Sequence, residues 1–308
     1  MFSLIPGRKR PTAVSFSVLS IPGAPIDPYW NRLLDHMPGY EADREIAVAA
    51  HRLSGWPVML AVCAIFRNEA RHLAEWVAFH LDQGVQRFYL YNNESTDDWQ
   101  PALAPHADVI EVTDWPGEAQ QKRAYHDCFI KHRLDTRWMA MIDIDEFLFS
   151  PPGASLPEVL NAFPPVAAVA ANWRTYGTSG HRSAPAGRTL AGFTHRAVDH
   201  HPINTHIKSI VFPMLVVAFS NAHHFIGIGP TLGERGDLVE SPWRAPPTAE
   251  LLRVNHYYTR SLSEFEAKTS RIRPTTDEHP PEPDHEALNA VYDPILALRA
   301  PRRAAGRA

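Results

Sequence analysis

The chain has 308 residues, of which 44% are hydrophobic and 21% are charged, and its formal net charge at pH 7 is −4. This length is enough for one large α/β domain or two modest ones, and the composition is that of an ordinary globular protein. The weakly acidic charge argues against a general nucleic-acid binder, which needs a basic surface, and no apolar run approaches the ~20 residues of a membrane-spanning helix.

Residues 1–56 are predicted to form an N-terminal extension that contains one helix, because residues 41–53 have helical periodicity. The first 26 residues carry proline and charge where a secretion signal needs a continuous apolar core. We therefore expect a cytoplasmic protein. Its two cysteines, Cys63 and Cys128, are then expected to be buried thiols rather than a disulfide.

Residues 57–273 are predicted to form the main domain, and its first half alternates strands and helices. The continuous apolar run Val58–Phe66 is typical of a parallel strand covered on both faces. A helix follows, with Asn68 as its candidate N-cap and Gly84 as its stop. Further strands are expected at 87–91, 108–113 and 137–143, with a helix at 118–134. This order predicts an α/β fold with a mostly parallel, twisted sheet flanked by helices, which binds ligands at the carboxyl ends of its strands.

The second half is less regular. Strand-like segments are expected at 166–173, 207–219 and 253–260, with a long loop rich in glycine, histidine and arginine between the first two. Ser261 and Glu264, three residues apart, predict a capping box and a following helix. Residues 274–308 are expected to be a proline-rich, partly disordered tail with a basic tip. A solvated tail is the simpler interpretation, and peripheral contact with an anionic membrane is the alternative.

Three acids, Asp143, Asp145 and Glu146, interrupt the apolar run WMAMIDIDEFLFSP, which contains no lysine or arginine. Residues two apart on a strand share a face, so Asp143 and Asp145 are expected side by side at the carboxyl end of the fourth strand. Adjacent carboxylates repel. A divalent cation removes that conflict, and oxygen ligands favour Mg²⁺ or Mn²⁺, whose open positions substrate phosphates fill. The alternative is that the acids cap a helix or pair with a distant arginine.

Five segments in order carry a resemblance to a known family: IFRNEARHLAEWVAFHLDQGVQRFYLYNNESTDD, DIDEF, NWRTYGTSGH, HIKSIV and VNHYYTRSLSEFEAK. Together, from about Val58 to Arg273, they resemble family 92 glycosyltransferases and their bacterial relatives in the family-2-like, GT-A group. The resemblance implies a GT-A-type fold with a Rossmann-like nucleotide-binding half and an irregular acceptor half. It also implies a nucleotide-sugar donor, with a UDP-sugar favoured, a Mn²⁺ or Mg²⁺ ion, and inverting transfer to a hydroxyl of a glycan or lipid-linked acceptor.

The resemblance assigns a metal site to Asp143, Asp145 and His256. Asp145 is expected to bind the ion directly, whereas Asp143 is expected to act through water or the donor's ribose. For His256 the alternative is a packed core histidine. The chain has 17 histidines, but they lack cysteine partners at finger spacing, which disfavours a structural zinc site.

Further roles follow from the matched motifs. The residues expected to contact the nucleotide are Arg67, Asn68, Glu69, Asn92 and Asp97, together with Asp143. The residues expected on the acceptor side are Trp173, His181, His206 and Lys208, with a packed tryptophan and a solvated lysine as the alternatives for Trp173 and Lys208.

Inverting transfer needs a base for the acceptor proton, normally a carboxylate. The acids in the appropriate part of the chain are Asp199, Glu234 and Asp237. The sequence does not choose among them; Asp199 is the predicted catalytic residue, and the other two are its alternatives. Glu146 is a second catalytic candidate that would orient a ligand or the acceptor. Its alternative is a structural hydrogen bond.

Two other functions remain open at this point. A metal-dependent nucleotidyltransferase or phosphohydrolase would use the same carboxylates. The phosphohydrolases that use an aspartyl nucleophile are disfavoured, because they carry Asp-x-Asp on the first strand rather than the fourth. A non-catalytic sugar-binding protein of the same fold is the third hypothesis.

Overall fold

The computed structural model describes residues 41–219, 221–270 and 282–299. Most of the predicted N-terminal extension and much of the predicted tail at 274–308 lie outside these residues. Within them, no helix is long and apolar enough to cross a membrane.

The first half of the described chain alternates strands and helices as predicted. Its elements are α1 (Glu41–His51), β1 (Val58–Phe66), α2 (Ala70–Asp82), β2 (Arg87–Asn92), α3 (Gln100–Leu103), β3 (Ile110–Asp114), α4 (Gln121–His132) and β4 (Thr136–Met141). β1 has the predicted bounds, and Gly84 follows α2 with a φ of +98°, as a glycine stop requires.

The second half consists of shorter elements. They are β5 (Glu146–Phe149), α5 (Leu156–Asn161), β6 (Ala168–Thr175), α6 (Thr189–Gly192), β7 (His195–Arg196), β8 (Ile207–Val211), β9 (Val216–Phe219), β10 (Phe225–Gly227), β11 (Thr231–Gly233), β12 (Arg253–His256), α7 (Leu262–Thr269) and β13 (Val291–Tyr292). The predicted strand 207–219 is divided, because Pro213 begins a 3₁₀ turn, Pro213–Leu215, between β8 and β9. The predicted capping box of α7 is present: the Ser261 hydroxyl accepts from the Glu264 amide, and the Glu264 carboxylate accepts from the Ser261 amide.

The main sheet has nine strands in the order β3-β2-β1-β4-β8-β6-β12-β5, with β11 also paired to β6. Five of its eight strand pairs are parallel: β1–β2, β1–β4, β2–β3, β6–β11 and β6–β12. β8 runs antiparallel to β4 and β6, and β5 runs antiparallel to β12. The expected α/β fold with a mostly parallel sheet is confirmed.

The sheet curls, because β4 and β5 are joined by four residues and yet lie four strands apart in the sheet. Five Cα–Cα steps reach at most about 18 Å, whereas four strand spacings in a flat sheet take about 19 Å. Trp76 of α2 holds the connection, since its indole N–H lies 3.1 Å from the carbonyl oxygen of Asp143 and 2.8 Å from that of Glu146.

The core lies on both faces of the central strands. Alternate residues of β1 belong to two separate apolar clusters: Leu60 packs in the cluster that contains Trp76 of α2, and Ala61 packs in the cluster that contains Tyr125 of α4. The predicted two-sided burial of β1 is therefore confirmed. Cys63 and Cys128 are buried free thiols, as expected.

Candidate active site

The acidic segment forms a turn rather than the end of a strand. β4 stops at Met141, and the Glu146 amide donates to the carbonyl oxygen of Asp143 at 3.0 Å. The prediction that Asp143 and Asp145 project side by side from one strand face is therefore wrong. In a turn the period-two rule does not apply, and the two carboxylates have different partners.

Asp143 faces α4 and β8. Its Oδ1 accepts hydrogen bonds from Gln121 (2.6 Å) and Tyr125 (3.3 Å), and its Oδ2 lies 2.7 Å from the Lys208 ammonium. Lys208 is 1% exposed. Its predicted place among acceptor-side residues therefore needs correction, because its charge is taken up by Asp143 and by Glu146, 3.2 Å away.

Glu146 is fully buried. Its Oε2 accepts the Asp143 amide at 2.9 Å, and its Oε1 has no hydrogen-bond partner among the described residues. Burial raises the pKa of Glu146 to about 8, against the opposing effect of Lys208. This placement supports a structural role over the catalytic role predicted for Glu146.

Asp145 lies at the centre of a second group of charges. Its Oδ2 is 2.6 Å from the Lys268 ammonium, on the last turn of α7, and 3.4 Å from His256 Nε2, at the end of β12. Burial alone would raise the pKa of Asp145, but Lys268, His256 and Arg260 outweigh it and hold that pKa well below its usual range. Asp145 is therefore an ionised carboxylate in a positively charged environment.

His256 is buried, with its ring centroid 4.2 Å from that of Trp173. Its Nδ1 is a buried polar atom without a partner among the described residues. Burial lowers its pKa, so the imidazole is neutral at neutral pH, as a metal ligand must be.

A divalent cation fits this donor set in part. An ionised carboxylate and a neutral imidazole, Asp145 and His256, converge here, and Mg²⁺- or Mn²⁺-type ions are commonly held by few protein ligands plus substrate phosphates. No group of three or more acidic, histidine or cysteine ligands converges anywhere in the described ranges. The structure thus brings together two of the three predicted ligands, while Asp143 turns to Lys208.

The loops after β1 and β2 are bonded to each other. Asn68, with a φ of 57°, accepts the Thr96 amide on its side-chain oxygen at 2.7 Å, and Asp97 accepts the Ala70 amide at 2.8 Å. The predicted capping of α2 by Asn68 is wrong: Glu69 is the N-cap and makes no side-chain cap bond, while Asp97 of the neighbouring loop caps the Ala70 amide.

Glu69 connects these loops to the acidic turn. Its carboxylate lies 2.7 Å from Arg260, which in turn lies close enough to Asp145 for each to shift the other's pKa. Asn92 donates to Asp114 at 2.9 Å and accepts the Ser95 amide at 3.0 Å, so it shapes its own loop. Arg67 is 4.0 Å from Glu94, and 43% of its side chain is exposed.

Apart from Lys208, the predicted acceptor residues lie in two places. Trp173 stacks on His206, with ring centroids 4.7 Å apart, and lies beside His256. His206 in turn contacts the exposed Trp243, whose indole N–H donates to His206 Nε2 at 3.0 Å. His181 is outside this aromatic group; its ring bonds to the carbonyl oxygen of Gly192 and packs on Phe193.

The three acids considered as the base lie on the other side of the sheet. Successive residues of a strand point to opposite faces, so Arg174 points away from Trp173. Asp199 pairs with Arg174 and Arg196, at 3.4 and 2.7 Å.

Asp237 and Glu234 share that side. Asp237 pairs with Arg244, which bonds to Asn172 on the same strand face as Arg174. Glu234 accepts three backbone amides, those of residues 250–252. The structure therefore does not bring the predicted base Asp199, or either alternative, to Asp145.

Several site residues were missed from the sequence. Lys268 and Arg260 lie within the quoted segment VNHYYTRSLSEFEAK, but nothing in their spacing indicated that they face Asp145. Gln121 and Tyr125 are four apart on α4, and this spacing on one helix face was the available signal.

Comparison with known proteins adds an independent observation. A sequence model described as Glycosyltransferase family 92 matches residues 57–282. A family 92 protein of Oryza sativa subsp. japonica is 33% identical over 176 residues, 54% of this chain and 29% of that protein. One of Arabidopsis thaliana is 29% identical over 238 residues, 71% of this chain and 38% of that protein. The chain spans about a third of the length of these curated relatives.

Among solved structures, S. aureus TarS is similar with a TM-score of 0.34 and 10% identity, over 50% of this chain and 47% of that chain. HddC from Yersinia pseudotuberculosis is similar with a TM-score of 0.35 and 10% identity, over 57% of this chain and 90% of that chain. Scores this low carry no argument about this molecule.

Proposed function

The chain belongs to glycosyltransferase family 92, and on that basis we propose that it transfers a sugar from a nucleoside-diphosphate sugar to an acceptor hydroxyl with inversion at the anomeric carbon. A UDP-sugar is the favoured donor, and a glycan or lipid-linked sugar is the favoured acceptor. The proposed ion is Mn²⁺ or Mg²⁺.

The observation that carries the proposal is the convergence of Lys268 and His256 on the buried carboxylate of Asp145. Arg260 adds a second positive charge, besides Lys268, close to Asp145. The site lies directly after β4, at the carboxyl edge of the parallel strands, where sheets of this kind bind nucleotides. Positively charged side chains at this edge are suited to binding a diphosphate. The diphosphate is negatively charged, and it departs as the leaving group of the reaction.

Asp145 and His256 are the residues that would hold a divalent cation. Such an ion, when bound, supplies Lewis-acid neutralisation of the departing nucleoside diphosphate. Lys268 is 39% exposed and flexible enough to move from the Asp145 carboxylate to a phosphate oxygen. Arg260, held by Glu69, adds a fixed positive charge.

Asp143 and Glu146 support this arrangement by fixing the turn that carries Asp145. Lys208 binds both carboxylates, and Gln121 and Tyr125 hold the other oxygen of Asp143. About a third of the Asp143 side chain is still exposed. It therefore remains available to a ribose hydroxyl or a metal-bound water, the role proposed for it in donor binding.

The test is thermal unfolding of the full chain with nucleoside diphosphates and nucleotide sugars, each with and without Mn²⁺. A ligand at 100 times its Kd should stabilise the fold by about 2.7 kcal/mol. We expect stabilisation by one nucleotide, dependent on the ion, and its loss in Asp145→Asn. The matched control is Asp98→Asn, which removes an exposed carboxylate of the same size.

Product analysis then separates the reactions. Sugar transfer releases the whole nucleoside diphosphate, whereas nucleotidyl transfer releases pyrophosphate. Metal-dependent nucleotide binding that survives in Asp145→Asn, or release of pyrophosphate, would contradict the proposal. Glycan binding without nucleotide or metal would instead favour a non-catalytic sugar-binding protein.

A further inference from the structure

A cavity of about 280 Å³ lies behind β6 and β12, on the face of these strands opposite Trp173. Four arginines and two acids line it: Arg174, Arg196, Arg235, Arg253, Asp199 and Glu250. Since Trp173 and Arg174 are neighbours on one strand, the cavity is separated from the Asp145 site by the sheet itself.

Three of the arginines are built into the fold. The side chains of Arg174, Arg196 and Arg253 are only 8%, 11% and 8% exposed. Asp293 lies between two of them, 2.5 Å from Arg196 and 2.8 Å from Arg253. These two guanidinium groups therefore keep a buried counter-ion whatever occupies the cavity.

Among the described residues, Arg174 has no buried carboxylate within ion-pair distance. Its guanidinium donates to the carbonyl oxygens of Trp173 (3.0 Å) and Pro247 (3.5 Å), and its carboxylate partner is Asp199, with 3.4 Å between Nε and Oδ1. That separation is longer than a direct hydrogen bond. Asp199 also lies 2.7 Å from Arg196, yet 67% of its side chain is exposed to solvent.

The counter-ion of Arg174 is thus an exposed carboxylate, whereas Asp293, the counter-ion of Arg196 and Arg253, is only 13% exposed. A buried guanidinium needs an anion, but this anion lies on a surface turn between β7 and the 3₁₀ turn Pro202–Thr205, where it can swing away without disturbing a strand. Asp199 therefore occupies the position of a ligand's anionic group.

We propose that this cavity binds the oxyanion of a small ligand, a phosphate or a carboxylate group, which replaces the carboxylate of Asp199. A guanidinium group can donate two parallel hydrogen bonds to two oxygens of either a carboxylate or a phosphate. The volume is near the lower end of ligand pockets, which is about 300 Å³, so the occupant is the size of one sugar phosphate or one sugar acid. Arg235 and Glu250, 2.6 Å apart and exposed, form the rim.

This inference does not depend on the proposed transfer reaction, because the cavity shares no residue with the Asp145 site. Binding is measured by calorimetry on the full chain at constant ionic strength, without divalent ions or nucleotide. The probes are inorganic phosphate, glucose 1-phosphate, glucuronate and, as the neutral comparison, glucose.

The decisive variant is Asp199→Asn, which removes the competing anion and leaves the buried arginines in place. Because a site blocked by an internal group shows reduced apparent affinity, the variant should bind the anionic probe about tenfold more tightly than the wild type. Asp108→Asn changes the net charge equally at an exposed position away from the cavity and should bind as the wild type does. Arg174→Gln should abolish binding.

If Arg174→Gln fails to fold, Arg235→Gln is measured instead. It should weaken anion binding several-fold, because Arg235 lies at the exposed rim of the cavity. Tighter binding of glucose 1-phosphate than of glucuronate identifies a phosphate ligand, and the reverse order identifies a sugar acid. No saturable binding to either the wild type or Asp199→Asn would overturn the proposal. Equal affinity of the wild type, Asp199→Asn and Arg235→Gln would overturn it as well, since the anion would then bind elsewhere.

Discussion

Lys208 of β8 lies between two carboxylates in the interior, 2.7 Å from Asp143 and 3.2 Å from Glu146. Burial of the Lys208 ammonium without these acids would destabilise the folded state, and so would burial of the acids without Lys208. The two acids raise the pKa of Lys208 despite its burial. The acidic turn is therefore held in place by a charge that comes from another strand.

We expect Lys208→Met to lower the free energy of unfolding by about 3–5 kcal/mol, because it removes the buried member of the ion pair with Asp143 and leaves that carboxylate without its cation. Urea denaturation measures the effect.

Lys268→Met is the matched control for that change. Lys268 also faces a carboxylate, but its side chain is 39% exposed, so solvent screens the pair and the cost should be no more than about 1 kcal/mol. Equal losses in the two lysine variants would contradict the importance of burial at Lys208.

The sequence identified the acids but not their partners. Asp143 and Asp145 stand out because they interrupt an apolar run, which is a local pattern. Lys208 lies 65 residues from Asp143, and Lys268 lies 123 residues from Asp145. Pairs so far apart depend on how the sheet closes, which neither periodicity nor propensity specifies.

At the scale of elements, α2 shows how one loop completes another. The helix begins at Ala70, and its N-cap residue, Glu69, makes no side-chain cap bond. Instead Asp97, from the loop after β2, accepts the Ala70 amide at 2.8 Å. The start of α2 is thus fixed only when both loops are in place.

We expect Asp97→Ala to destabilise the fold by about 1 kcal/mol, the usual cost of a lost cap. Asp98→Ala should have little effect, because Asp98 is the exposed neighbour. Chemical denaturation of the two variants measures the difference. A difference below the error of the measurement would show that the Asp97 bond does not stabilise α2.

Element types were predictable where a pattern repeated. β1 is apolar throughout because both of its faces are covered, and α7 carries its capping box in the sequence. Single-residue geometry was less predictable. Asn68 is a good N-cap type, but its φ of 57° places it in a left-handed turn before the helix. β4 stops at Met141, two residues short of the predicted end. Asp143 and Asp145 therefore lie in a turn, where their side chains have different partners.

At the scale of the whole molecule, three of the described histidines have strongly lowered pKa values: His80 is buried, and His51 and His223 are half-buried. Burial lowers the pKa of His51 to about 4 and the pKa values of His80 and His223 to about 3. The unfolded chain binds these protons near pH 6.5. Their contribution to stability is therefore complete above pH 6.5 and is lost as the pH falls through the folded values.

We expect the free energy of unfolding to fall by at least about 1.4 kcal/mol per pH unit between pH 6.5 and 4.5, the value for one group. Glu146 opposes this trend, because its raised pKa gives stability that is lost as pH rises toward 8, but it is one group against three.

Urea denaturation at several pH values measures the slope. His80→Gln should flatten it by about the contribution of one group, about 1.4 kcal/mol per pH unit. His200→Gln, at an exposed position, should leave the slope unchanged. A profile that is flat over this range in the wild type would contradict the neutral burial of these side chains.

The curl that returns β5 to the neighbourhood of β4 has a consequence for the order in which the chain matures. β5 follows β4 after four residues, yet the strand it pairs with in the described part of the chain is β12, which starts more than 100 residues later. On a ribosome, the acidic turn is therefore synthesised long before Lys208, His256 and Lys268 emerge to meet it. A nascent chain that has not yet reached Lys268 carries the carboxylates without their full set of cations, so the acidic turn acquires its partners only after α7 has been synthesised.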